Sequence, residues 1–314
     1  MTRVLKEVAK RVKLTHGADG IAQVTLARPN KLNSLDMDMF RAIQSVQHEL
    51  ISTSRNIRAV VVHGDGRAFC AGLDIKSVCG NPLTAKANMN TLLHRPEGEV
   101  GNLAQDVGYL WRRIPAPVIA VTHGVCLGGG LQIALGCDMR IAAPKCKFSV
   151  MEAKWGLVPD MSGTVTLREL VPKDVALELT LTGRIFEAAE ALQLGLVTRI
   201  AKDPLSEALR LAGEIATRSP DASAAAKRLI HATFSSECSE ARALHIESEL
   251  QKQLIGGWNQ MACAAKGLGA PAWLQPAFAD RSPAWDSEAD EATEAELRRL
   301  LDGTELTAQP AAAA

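Results

Sequence analysis

The apolar run Ile21–Ala27 (IAQVTLA) predicts a strand, ended by Arg28-Pro29-Asn30. The spacing then changes. From Asp36 to Ser52, Met39, Phe40, Ile43, Val46 and Leu50 return to one side of a helix. Ile57–Val62 and Pro117–Val121 read as buried strands, with a helix over Gly101–Arg113 between them. Asp138–Ala143 and Lys147–Val150 predict two more short strands. From Ser162 onward the pattern is nearly all helical: Gly163–Leu170, Asp174–Leu181, Ala188–Leu194, Leu205–Thr217, Asp221–Thr233 and Ser239–Leu254. Strands that alternate with helices predict a layered α/β domain. Pro82–Gly101 is polar and turn-rich, and reads either as a mobile loop over a site or as a plain surface loop.

Both ends depart from this pattern. The basic opening MTRVLKEVAKRVKL is expected to be a solvated arm over 1–19, with a short amphipathic helix as the alternative. In the tail, 256–314, Trp258, Trp273 and Trp285 stand among Pro271, Pro276 and Pro283 without helical periodicity. Thr293 and Glu296 then have capping-box spacing, Leu297, Leu300 and Leu301 make a narrow stripe, and Gly303 stops the helix.

Charge and composition narrow the classes. The 314 residues hold 35 Lys plus Arg and 35 Asp plus Glu, a balance that argues against broad attraction to nucleic acid or anionic lipid. No apolar run reaches bilayer length, so no membrane span is expected. The opening contains Glu7 and lacks transit-peptide character, and QPAAAA carries no peroxisomal tripeptide. The seven cysteines are odd in number, scattered and without CxxC spacing, which predicts reduced structural thiols in a soluble intracellular protein and no zinc site. Cytosol, mitochondrion and peroxisome stay open.

Two glycine turns carry the chemistry. In VTHGVCLGGGLQIALGCD, Gly128, Gly129 and Gly130 lie between an apolar strand and the helix LQIAL. That order aims backbone N–H groups at whatever docks there and suits a negatively charged oxygen, although a glycine triplet is equally the mark of a tight turn. RAFCAGLDIK, Arg67–Lys76, follows another strand and again places a glycine at a bend. Together with ARPNKLNSLD, FSVMEAKWGLVPDMSG and TGRIFEAAEALQLGLVTRI, these motifs resemble the crotonase family, the enoyl-CoA hydratase/isomerase superfamily, from about Ile21 to Leu254.

The resemblance implies a spiral of stacked ββα units over 20–200 that holds the acyl-CoA site. It also implies a helical region, 201–255, that builds trimers or hexamers. The substrate would be a coenzyme A thioester, with no further cofactor and no metal. By motif position the backbone N–H groups of Leu73 and Gly129 form the oxyanion hole, and any β-carbon at 129 is expected to crowd the thioester. Arg28, Ala71, Gly72, Asp74 and Lys76 would line the coenzyme A groove, with Lys76 placed to meet phosphate or simply solvated.

Family hydratases carry two glutamates. Here the first position is Gln132 and the second Glu152. An amide does not exchange protons near neutral pH, so a two-carboxylate hydration is impaired, while Gln132 can still hold water or substrate. Asp160 matches an acid found in dienoyl-CoA isomerases, and Asp160 is also a candidate cap for the helix that follows. The expected activity is a double-bond shift, 3,5-dienoyl to 2,4-dienoyl or 3-enoyl to 2-enoyl. The alternatives are a hydratase or other thioester reaction on Glu152 alone, and a non-catalytic CoA-binding or assembly protein. Asp138, His63 and His123 read as parts of the fold.

Overall fold

In the computed structural model, which describes residues 3–52, 55–234 and 238–286, the chain opens on a hairpin. Strands β1 (Arg3–Val8) and β2 (Val12–His16) pair antiparallel, and β2 pairs in the same sense with β3 (Ile21–Leu26). The opening is therefore sheet, not a solvated arm. Val12 and Leu14 are buried while Lys13 and Thr15 are not, the alternation of a strand with one face on a core. Ala9 and Lys10 make the turn at positive φ, so no Asn-Gly pair announces it.

The chain continues through α1 (Met37–Ser52), β4 (Ala59–Gly64), α2 (Ile75–Cys79), α3 (Pro82–Leu93), α4 (Leu103–Tyr109), β5 (Val118–Thr122) and β6 (Val125–Leu127). Next come α5 (Gly129–Gly136), β7 (Met139–Ala142), β8 (Lys147–Ser149), α6 (Gly163–Leu170), α7 (Lys173–Thr182), β9 (Phe186–Glu187), α8 (Ala188–Gln193) and β10 (Arg199–Ile200). Four helices close it: α9 (Pro204–Ala216), α10 (Pro220–Thr233), α11 (Glu240–Leu254) and α12 (Trp258–Gly267). A seven-stranded sheet runs in the order β1-β2-β3-β4-β5-β7-β10, parallel from β3 to β10, beside a three-stranded sheet β6-β8-β9.

Alternate residues of β4 and β5 serve two cores. Val60, Val62, Val118 and Ala120 join the large core with Phe40, Ile43 and Trp111, whereas Ala59, Val61, Ile119 and Val121 pack under Ala208 and Ala212 of α9. Burial on both faces explains why these strands read as unbroken apolar runs. It also makes α9 part of the layered core.

Two other expectations change. Pro82–Leu93 is helical, because Asn81 accepts from Leu83 N–H at 3.0 Å and Pro82 occupies the first turn, a start signal hidden by the polar composition. Only the stretch after it is irregular. In the tail, Trp258 begins α12, and Trp285 is buried against Ala224, Ala225, Ile246 and Leu250. The segment leading to Trp285 is fastened by Ser282 N–H to Asp221 Oδ1 at 2.7 Å and Arg281 N–H to Arg55 O at 3.0 Å. The capping box at Thr293–Gly303 lies outside the described residues.

Candidate active site

The glycine turn follows β6. Gly128 has φ 52° and ψ −122°, a conformation closed to side chains, and its N–H is held by Ser149 O at 2.9 Å. Gly129 then opens α5. Its N–H has no acceptor among the described residues, as the first turn of a helix leaves it. The second turn crosses over this one. Gly72 has φ 86°, and a β-carbon built on it would lie 2.8 Å from Leu127 O and 3.5 Å from Gly129 N. On either side of Leu73 the backbone is paired: Leu35 N–H meets Gly72 O at 2.8 Å, and Asp74 N–H meets Leu35 O at 2.9 Å. Leu73 N–H, like that of Gly129, meets no acceptor among the described residues. Two neighbouring turns thus leave two N–H groups unused at the positive end of one helix.

A β-carbon at 129 would not meet open space. It would stand 2.5 Å from Met161 Sδ and 3.0 Å from Leu35 Cδ1. The expected crowding at Gly129 is therefore against these two side chains, which sequence motifs did not single out.

The titratable group is Glu152, in a single turn of 3-10 helix after β8 and only 8 % exposed. Gln132 on α5 donates its Nε2 to Glu152 Oε1 at 2.6 Å. Glu152 Oε2 is buried with no hydrogen-bond partner. Burial pushes this carboxyl above the ordinary range, the backbone N–H of Glu152 itself and the Gln132 N–H oppose that, and the negative charge of Asp160 adds to it. Asp160 is exposed, and partial desolvation by the protein around it raises its carboxyl as well. Asp160 does not cap α6; Ser162 holds that position at φ 70° without a side-chain bond. The open donors at the start of α6 are met instead by Gln132 Oε1, which accepts from Met161 N–H and Gly163 N–H, both at 2.9 Å.

Arg28 and Asp74 are occupied with each other. Arg28 Nη1 lies 2.8 Å from Asp74 Oδ2 and 3.0 Å from Ser34 O, and Nη2 is 3.3 Å from Asp36. The charge of Arg28 is thereby balanced within the protein by Asp74 and Asp36. Asp36 is central to this chain of charges. Burial raises its carboxyl, but the paired bonds from Arg11 at 2.9–3.2 Å, the Met39 N–H and Arg28 outweigh burial and hold it below the usual range. The result fixes Asp74, which also caps α2 through Ser77 N–H at 3.1 Å, and so fixes the turn Ala71–Leu73. Lys76 is exposed with no partner among the described residues. Asp138 serves the fold: it takes Lys227 and His231, each at 2.8 Å, and Val118 N–H at 2.7 Å.

Comparison with known proteins decides the family. Residues 16–265 match the family model described as enoyl-CoA hydratase/isomerase. The chain belongs to the enoyl-CoA hydratase/isomerase family. An enoyl-CoA hydratase of Mycobacterium tuberculosis is 34% identical over 230 residues, which cover 72% of this chain and 82% of the relative. The human mitochondrial Delta(3,5)-Delta(2,4)-dienoyl-CoA isomerase is 32% identical over 261 residues, 82% of this chain and 76% of the relative. Among solved structures, an enoyl-CoA hydratase from Polaromonas sp. JS666 superposes with a TM-score of 0.73 at 28% identity, covering 85% of this chain and 99% of the other. The fold is thus the crotonase fold, and in it the two glycine turns meet beside Glu152. Among the described residues no helix is long and apolar enough to cross a membrane.

Proposed function

We propose that this family member is an acyl-CoA double-bond isomerase. The observation that carries the reading is the neutral amide of Gln132, bonded to Glu152 at 2.6 Å, where hydration by two carboxylates needs a second acid. The thioester oxygen would accept the N–H groups of Leu73 and Gly129. Charge develops on that oxygen in the enolate-like state, and fixed donors stabilise it without the reorganisation water requires. Glu152 would take a proton from the carbon beside the thioester and return it further along the chain. For a 3,5-dienoyl substrate Asp160 is the second carboxylate. For a 3-enoyl substrate Glu152 alone makes both transfers. Ala71, Gly72 and Lys76 would line the coenzyme A groove, Lys76 facing phosphate. No cofactor beyond the substrate's own coenzyme A enters the scheme. The enzyme would assemble as a trimer or a hexamer of two trimers.

Hydration is the second reading, favoured by the hydratase names of several relatives. The test incubates the protein with 2-enoyl-, 3-enoyl- and 3,5-dienoyl-CoA and follows water addition and diene formation separately. Isomerisation of a 3-enoyl or 3,5-dienoyl thioester, at least tenfold faster than hydration of the 2-enoyl thioester, is the expected result. Hydration at the faster rate would replace the isomerase reading with the second one.

A further inference from the structure

We propose that Gln132 is a positioning residue that holds Glu152 by one oxygen and reserves the other, Oε2, for proton transfer. The proposal rests on the reading of Glu152 as the proton carrier and assigns a role to the residue that replaces the second acid.

The orientation of the amide is set by its partners. Gln132 is 3 % exposed, and its oxygen accepts two backbone N–H groups, from Met161 and Gly163. A flipped amide would turn N–H against N–H at both, so the NH2 group must face Glu152. The fit is close: a β-carbon on Gly163 would lie 2.7 Å from the Gln132 oxygen. Glu152 Oε1 therefore always faces a donor, and a proton on the carboxyl goes to Oε2. That oxygen is buried and has no hydrogen-bond partner. An orphaned carboxylate oxygen in such a place is costly unless it has work to do.

The proton then has one address. In a 3-enoyl thioester the C–H bond beside the carbonyl breaks, its proton goes to Oε2, and its electron pair moves towards the thioester oxygen. The pair returns to form the new double bond as Oε2 gives the proton to the far carbon of the old one. Nothing is oxidised or reduced, and no water is consumed. A carboxylate at 132 would change this. It could keep the bonds to Met161 and Gly163, but its other oxygen would face Glu152 Oε1 at the present 2.6 Å separation and hold a shared proton there. The charged group whose field reaches Glu152 is Asp160 on the following turn; α5 brings the amide, β6 ends on the bare backbone of Gly128, and α7 brings no charge that acts on it.

The experiment compares Gln132→Met, Gln132→Glu and Glu152→Gln as full chains, with the pH profile of kcat/KM for 3-enoyl-CoA. Losing the donor to a carboxylate raises its proton affinity by about tenfold, so the acid limb should move up by about one pH unit in Gln132→Met. In that variant kcat should fall at least tenfold while KM changes little. Gln132→Glu keeps the contacts that hold the turn at 161–163, so it tests the point even if Gln132→Met fails to fold. Its acid limb should also move up. A fall in kcat with the acid limb unmoved in the folded variants would show that the amide only braces the turn, and would overturn the proposal. Full turnover by Glu152→Gln would overturn the reading beneath it, a separate and recognisable result.

Discussion

Glu152 sits where a carboxylate is held at a cost. Its carboxyl is raised above the ordinary range chiefly by burial, with Asp160 adding and Gln132 opposing. A carboxyl with a raised folded-state pKa penalises folding once pH exceeds its unfolded value, and the penalty is complete above the folded value. Below about pH 4 both states are protonated and the penalty vanishes. Glu152→Gln should therefore raise the melting temperature near pH 7 and leave it nearly unchanged near pH 4, while turnover falls at least about a hundredfold. Thermal melts at the two pH values, beside an isomerase assay, check this; equal melting at both would show that the buried charge is not strained. At this scale the sequence was partly legible. Motif position found Glu152 and Gln132, because those residues lie in runs with a fixed relation to the glycine turn. The contacts of Gln132 with Met161 and Gly163 span about thirty residues of chain, and no local spacing encodes them. The ion chain from Arg11 through Asp36 and Arg28 to Asp74 escaped for the same reason.

Among the elements, those with an apolar face of regular period were predicted within a residue or two, such as α1, α6 and α10. The misses share a cause: their deciding feature was not periodicity. The β1–β2 turn lacks glycine, α3 exposes most of its length, and α12 begins on a half-exposed Trp258. The tail is the most consequential case. Its tryptophans and prolines showed no helical periodicity, yet Trp285 is 4 % exposed and closes the cluster formed by α10 and α11. Asp286 adds bonds of 2.6–2.9 Å to Arg55. Trp285→Ala should destabilise the fold by about 3–5 kcal/mol, because both buried area and packing are lost. A urea titration followed by circular dichroism would read this as a lower midpoint; an unchanged midpoint would show that the tail rests on the body without stabilising it.

For the molecule as a whole, the surface carries more apolar area than a solitary subunit needs. Trp155, Leu157 and Val158 are 55–72 % exposed on one segment, and Leu177 and Leu181 are exposed one turn apart on α7, which packs against the same turn as Glu152. Contiguous exposed apolar residues mark contact surfaces. We expect a trimer or a dimer of trimers in solution, with this face covered. Light scattering at micromolar concentration gives the mass directly; a monodisperse monomer would remove the assembly reading. The α/β class and the crotonase fold were legible in the order of motifs. The second sheet face under α9 and the closing role of the tail were not, since both depend on which layers meet.

The fastening of Arg281 to Arg55 and of Asp286 to the same arginine has a bearing on synthesis. A chain leaving the ribosome folds from its beginning, and the hairpin and β3 emerge early. The cover for Ala224, Ala225, Ile246 and Leu250 is Trp285, which arrives some thirty-five residues after the last of them. Through that interval the growing protein shows an apolar groove to its surroundings. Translation that stops short of Trp285 would release a subunit whose body is nearly complete and whose groove is bare, the form of this chain for which chaperones and proteases would compete.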